Sequence, residues 1–112
     1  GGIPGIGVPV EATYARHVYH VYAVRVRNRD EVARTLAARG IATGIHYPTP
    51  IHLTEAYRFL GYAEGDFPVA ETCAREFLSL PMYPELSPVQ LRAVVRSLKE
   101  AVTMTATGLV SA

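Results

Sequence analysis

Along His17 to Arg27 (HVYHVYAVRVR) the side chains alternate, with Val18, His20, Tyr22, Val24 and Val26 on one face and Tyr19, Val21, Ala23, Arg25 and Arg27 on the other. A period of two marks a half-buried strand, so the pattern predicts one long strand whose Arg-bearing end is wet. The period then changes. Asn28 and Glu31 have the spacing of a capping box, Val32 and Leu36 form an i, i+4 apolar pair beside Ala33 and Ala37, and Gly40 stands where a terminating glycine belongs. A helix over about 29–39 follows. Ile41 to Ile45 reads as a short second strand, which would complete a β-α-β unit.

Leu53 to Leu60 has room for about two helical turns, stopped by Gly61, and Gly65-Asp66-Phe67-Pro68 then offers a turn, a capping aspartate and a proline at the start of a helix running to about Phe77. Val69, Cys73 and Phe77 recur at i, i+4, i+8 beside Ala70 and Ala74, which predicts a thiol facing the core. Leu78 to Leu80 is a candidate third strand. Ser87 as N-cap, Pro88 at the first helical position and Gln90 two residues on mark a last helix, with Leu91, Val94, Val95, Leu98 and Val102 as its apolar stripe. Residues 1–16 read as an extended N-terminal segment or linker, 17–102 as the domain, and 103–112 as a weakly structured tail. The expected fold is α+β: a small two-layer sandwich of two or three strands interleaved with three or four helices.

Composition narrows the function classes. At 112 residues with 49% hydrophobic and 19% charged residues, the chain has the size and balance of one globular domain. No run approaches the roughly eighteen apolar residues of a membrane span. The first residues, GGIPGIGVPV, lack the basic flank and continuous apolar stretch of a signal peptide, so the expected location is cytoplasmic. A formal charge of +1 gives no basic footprint for nucleic acid, and the single Cys73 excludes an internal disulfide. Ten of the eleven basic residues are arginine; Lys99 is the only lysine.

The densest chemistry lies in Gly44-Ile45-His46-Tyr47-Pro48-Thr49-Pro50-Ile51-His52-Leu53, where two histidines and a tyrosine are set among prolines behind a predicted strand. Proline fixes its own φ and pushes the preceding residue toward extended backbone, so Tyr47 and Thr49 are expected on a stiff path. A loop of that kind presents donors and acceptors to a ligand. The plainer alternative is a turn in which the imidazole bonds a carbonyl and the phenol covers the core edge. Elsewhere the plain readings lead. His17 and His20 point to opposite faces of a strand with no acidic or thiol partner at ligand spacing, so no metal site is assigned. His20 reads as a half-buried, hydrogen-bonded strand residue, Cys73 as a structural thiol, and Arg25, Arg27 and Arg29 as a solvated edge. Tyr83, bracketed by Pro81 and Pro84, either packs the end of the sandwich or lines a cleft.

GIATGIHYPTPIHL, GYAEGDFPVAE and LSLPMYPELSPVQ, in that order and preceded by HVYHVY, resemble the C-terminal small domain of the DegT/DnrJ/StrS family of pyridoxal-phosphate-dependent nucleotide-sugar aminotransferases, over about residues 17–101. The resemblance implies the aspartate-aminotransferase-type fold (fold type I) and transfer of an amino group from glutamate or glutamine to a keto-sugar on a nucleoside diphosphate. Such enzymes serve cell-envelope polysaccharide or antibiotic sugar biosynthesis. It implies further that the Schiff-base lysine and the aspartate facing the pyridine nitrogen lie on a large domain of the same chain, and that a homodimer completes the site. His46 and Tyr47 match the family's His-Tyr-Pro motif and would bind the nucleotide-sugar; His52 is a weaker member of the set. Thr54 stands where many members carry Gln, and Tyr19 where many carry Trp. Lys99 is expected on a helix surface and no glycine-rich phosphate cradle opens a helix, so the chain reads as a fragment that supplies a substrate-side wall, binds no cofactor and catalyses nothing alone. Two alternatives stay open: the small domain of a related sugar dehydratase, or a stand-alone interaction module.

Overall fold

A computed structural model describes residues 2–107. The sheet has three strands, β1 (Ile6–Gly7), β2 (Tyr22–Val26) and β3 (Phe77–Leu80), in the order β1-β2-β3 with both pairs antiparallel. Three helices accompany it: α1 (Arg29–Ala38), α2 (Pro68–Glu76) and α3 (Pro88–Ala106). In β2 the predicted alternation holds, with Val24 and Val26 buried and Arg25 exposed between them. Those two valines meet Val32 and Leu36 of α1, Leu78 of β3, and Leu98, Ala101 and Val102 of α3 in one apolar core. Each fully buried Val or Leu contributes about 1.5–3 kcal/mol relative to exposure, so this cluster is what holds the helices on the sheet.

β2 is shorter than its sequence pattern. Val18 is 86% exposed, His20 is exposed, and Tyr19 takes a left-handed φ of 49°. The reason lies in the neighbours: β3 ends at Leu80, opposite Tyr22, and Pro81 follows, so no partner backbone continues the ladder toward His17. His20 is therefore not the half-buried strand residue expected. At the other end of β2, the N-terminal segment supplies β1, with Ile6 opposite Val26 and Gly7 opposite Arg25.

The second predicted strand and its β-α-β unit do not form. Residues 41–45 make a single antiparallel bridge, Gly44 to Ser79, closed by N–H···O contacts of 3.0 and 2.8 Å. α1 matches its expected span, but Asn28 caps it through the carbonyl alone, accepting from the N–H of Glu31 and Val32 in a left-handed conformation with no side-chain bond. Gly40 (φ 73°) ends the helix as predicted. The 53–60 stretch is two tight 3₁₀ turns, Ile51–Leu53 and Glu55–Leu60, stopped at Gly61 (φ 75°).

α2 buries a different face from the one expected, and α3 buries three of the five residues of its expected stripe, Val94, Leu98 and Val102. In α2 the inward residues are Glu71 and Ala74, while Val69 is 77% exposed and Cys73 half-buried, so the thiol is not a core group. In α3 the Ser87–Gln90 capping box is present, and Val94, Leu98, Ala101 and Val102 face the core; Leu91 and Val95 face solvent. α3 runs past the expected boundary to Ala106, and residues 108–112 of the predicted tail lie outside the described residues. Arg29 also departs from the solvated edge. It is buried, its Nη1 donating to the carbonyls of Ala74 and Phe77 at 3.1 Å, where a cation satisfies the last turn of α2.

Candidate functional site

The loop 46–52 is tied at both ends to the continuous α2–β3 segment. At its start, His46 Nδ1 lies 2.9 Å from the hydroxyl oxygen of Ser79, a buried residue of β3. The hydroxyl both donates and accepts, so this bond fits either imidazole tautomer and orients the ring. The backbone bridge from Gly44 to the same serine sets the distance. A Cβ on residue 44 would sit 2.7 Å from His46 Cε1, so the ring occupies space that only glycine leaves open.

At its end, His52 is buried and its Nε2 lies 3.1 Å from Oε1 of Glu71. The carboxylate accepts only, so Nε2 carries the hydrogen and donates. The same oxygen accepts from the N–H of Gly65 at 2.9 Å and of Phe67 at 3.3 Å. Burial would raise the Glu71 carboxyl, but the Gly65 and Phe67 amides and the His52 ring outweigh it and hold the group below the usual carboxylate range.

Between the two ends, Tyr47 is 75% exposed, with its ring edge-on to His46 at 5.6 Å. Of the three candidate residues, then, the structure brings His46 and Tyr47 together at the surface and sets His52 in the interior as an anchor. Thr54 turns its hydroxyl back to the Ile51 carbonyl at 2.7 Å. Beside the anchor lies an open apolar hollow of about 450 Å³ lined by Ile51, His52, Tyr57, Leu60, Tyr62 and Phe67. The Phe67 ring lies tilted against His52 with centroids 4.8 Å apart and meets Tyr62 edge-on at 5.0 Å. Phe59, 79% exposed, continues this apolar surface.

Ser79 and Glu71 were not singled out from the sequence. A serine inside an apolar strand (Leu78-Ser79-Leu80) and a carboxylate three residues before Ala74 on one helix face were the available signals. Tyr83 lines a shallow hollow with Ile41, Pro81 and Leu86. Arg25 pairs with Glu76 at 2.7 Å, and that hydrogen bond, with the carboxylate charge, raises the guanidinium further. Among the described residues no group of three or more His, Cys, Asp or Glu gathers as a metal site, and no helix is long and apolar enough to cross a membrane.

Lys99 stands exposed on α3 next to Arg96 and Glu100, in a shallow groove shared with Arg39. A lysine that forms an imine works from a desolvated cleft. This one is wet, and among the described residues it does not fit the imine-forming role that pyridoxal phosphate requires.

Comparison with known proteins places these features. Residues 2–99 match the model of the DegT/DnrJ/EryC1/StrS aminotransferase family. The chain is 46% identical over 99 residues to dTDP-3-amino-3,4,6-trideoxy-alpha-D-glucose transaminase of Streptomyces venezuelae, covering 88% of this chain and 26% of that one. It is 45% identical over 97 residues to the erythromycin biosynthesis sensory transduction protein EryC1 of Saccharopolyspora erythraea, covering 87% and 26%. Among solved structures, S. venezuelae DesV in complex with a ketimine intermediate superposes with a TM-score of 0.84 at 45% identity, over 88% of this chain and 27% of the other. An aminotransferase from Brucella abortus superposes with a TM-score of 0.79 at 32% identity, over 88% and 26%. The chain spans about a quarter of the length of the relatives it matches. Its α+β fold is that of a piece of these aminotransferases, and the protein belongs to the DegT/DnrJ/EryC1/StrS aminotransferase family.

Proposed function

We propose that this chain is the small domain of a pyridoxal-phosphate-dependent aminotransferase that moves an amino group from glutamate or glutamine to a nucleotide-linked keto-sugar. The observation that carries the reading is the doubly anchored loop, which leaves Tyr47 exposed beside an oriented His46. A phenol and an imidazole held in that way donate to phosphoryl or sugar oxygens, and an aromatic ring gives a sugar a flat face to rest on.

When bound to the remaining part of such an enzyme, the cofactor supplies the electron sink and the amino carrier. His46 and Tyr47 bind and orient the sugar nucleotide, the two prolines keep the path between the anchors stiff, and His52 works from the interior by holding the end of the loop. The exposed apolar side chains of Phe59, Ile51 and Val69 suit burial against the rest of the enzyme, which in this reading is a large domain of the same polypeptide within a homodimer.

The test is amino transfer by the full-length protein. A His46→Ala, Tyr47→Ala double variant is expected to lose about tenfold or more in kcat/KM for the keto-sugar nucleotide. Wild-type activity in that variant would remove both residues from the site.

A further inference from the structure

Glu71 is an unusual occupant of a helix face that packs inward. Its side chain is 6% exposed and the His52 side chain 8%, and one carboxylate oxygen takes three donors from two separate stretches of chain. An apolar residue of similar volume would bury well at this position, and replacing a buried ionic group in that way is often neutral or stabilising. Apolar packing is non-directional, however. A carboxylate fixes where its donors stand, because each N–H must aim at a lone pair to make up for lost water.

What Glu71 fixes is specific. His52 is the last residue of the loop that presents Tyr47, and it opens onto the turn in which Leu53 and Thr54 donate to the carbonyls of Pro50 and Ile51. Gly65 and Phe67 belong to the turn before α2, where Gly65 takes a φ of 96° and the Phe67 ring lies tilted against the His52 ring. The start of the loop is already held by Ser79, and at the far end the Glu71 contact is the one side-chain hydrogen bond that the His52 ring makes among the described residues.

We propose that Glu71 is a positioning residue: it touches no substrate, and it locks the His52 end of the 46–52 loop so that Tyr47 is presented at one place. This assignment rests on the reading of that loop as a substrate-binding wall. It does not require Glu71 to transfer a proton.

Amide hydrogen exchange on the chain tests the lock. In Glu71→Leu, which keeps the packing and removes the acceptors, the amides of Leu53, Thr54, Gly65 and Phe67 are expected to exchange about tenfold faster or more, while those of β2, β3 and α3 keep their rates. Glu71→Gln, which keeps an acceptor oxygen, is expected to restore slow exchange at Gly65 and Phe67. A second variant, His52→Leu, leaves Glu71 its two backbone donors, and faster exchange is then expected at Leu53 and Thr54 alone. Unchanged rates at Leu53 and Thr54 in either Leu variant overturn the proposal. So does a uniform rise through β2, β3 and α3, the mark of a residue needed only for overall stability. In the full-length enzyme, Glu71→Leu is expected to raise KM for the sugar nucleotide severalfold at unchanged kcat; loosened exchange with an unmoved KM would keep the lock and discard the substrate-wall reading.

Discussion

His46 Nδ1 and the Ser79 hydroxyl meet at 2.9 Å across thirty-three residues of sequence, and this contact orients the only imidazole in the loop that remains at the surface. Ser79→Ala removes the partner of that ring and a buried hydroxyl together. The expected cost is about 0.5–1.5 kcal/mol of stability, measured by urea unfolding, with a rise in KM for the sugar nucleotide in the full-length enzyme. An unchanged KM would show that the ring needs no such orientation.

Gly44→Ala tests the same ring from the other side. The added methyl would stand 2.7 Å from His46 Cε1, too close for any real contact, so the imidazole must leave Ser79. The expected result is a folded protein whose His46 ring resonances shift as they do in Ser79→Ala. A spectrum identical to wild type would contradict the close approach.

The Glu71 carboxyl gives a pH dependence with a definite sign. Its folded value lies below the ordinary value of 4.5, so the native state holds the ionised form more tightly than the unfolded chain does. The stability it contributes is fully present above about pH 4.5 and is lost as pH falls through the depressed native value. Urea midpoints collected from neutral pH downward are expected to fall less steeply in Glu71→Gln than in wild type. Parallel curves would mean that the carboxyl titrates alike in both states.

Leu36→Ala and Leu91→Ala separate the true core from the predicted one. Leu36 is completely buried between α1 and the sheet, and its truncation is expected to cost about 2–5 kcal/mol. Leu91 is 50% exposed, and its truncation should stay within about 0.5 kcal/mol in the isolated chain. Denaturant unfolding of the pair gives the answer directly.

The Ser87 cap is the simplest local device in the chain. Its hydroxyl accepts from the Gln90 N–H at 3.3 Å while the Gln90 side chain returns to the Ser87 N–H at 2.9 Å. Ser87→Ala is expected to cost about 1 kcal/mol, read as a shift in the urea midpoint at unchanged slope.

What the sequence determined by itself are the features whose cause is local. The spans of α1 and α2, the start of α3 with its capping box, the terminating Gly40 and Gly61, the Leu78 to Leu80 strand, and the crowding of His46, Tyr47 and His52 into one stiff loop all follow from period, caps and proline. Three sequence blocks in order were enough for the family. The tertiary structure alone decided what depends on a distant partner. β2 stops at Tyr22 because β3 stops at Leu80, and Ile41 to Ile45 makes one bridge because only Ser79 stands opposite. The buried face of α2 turns toward Glu71 rather than Cys73, since His52 and the Gly65 and Phe67 amides offer that carboxylate its hydrogen bonds. Periodicity tells which residues share a face, but a buried charge follows its partners, and partners separated by many residues are brought together only by the fold.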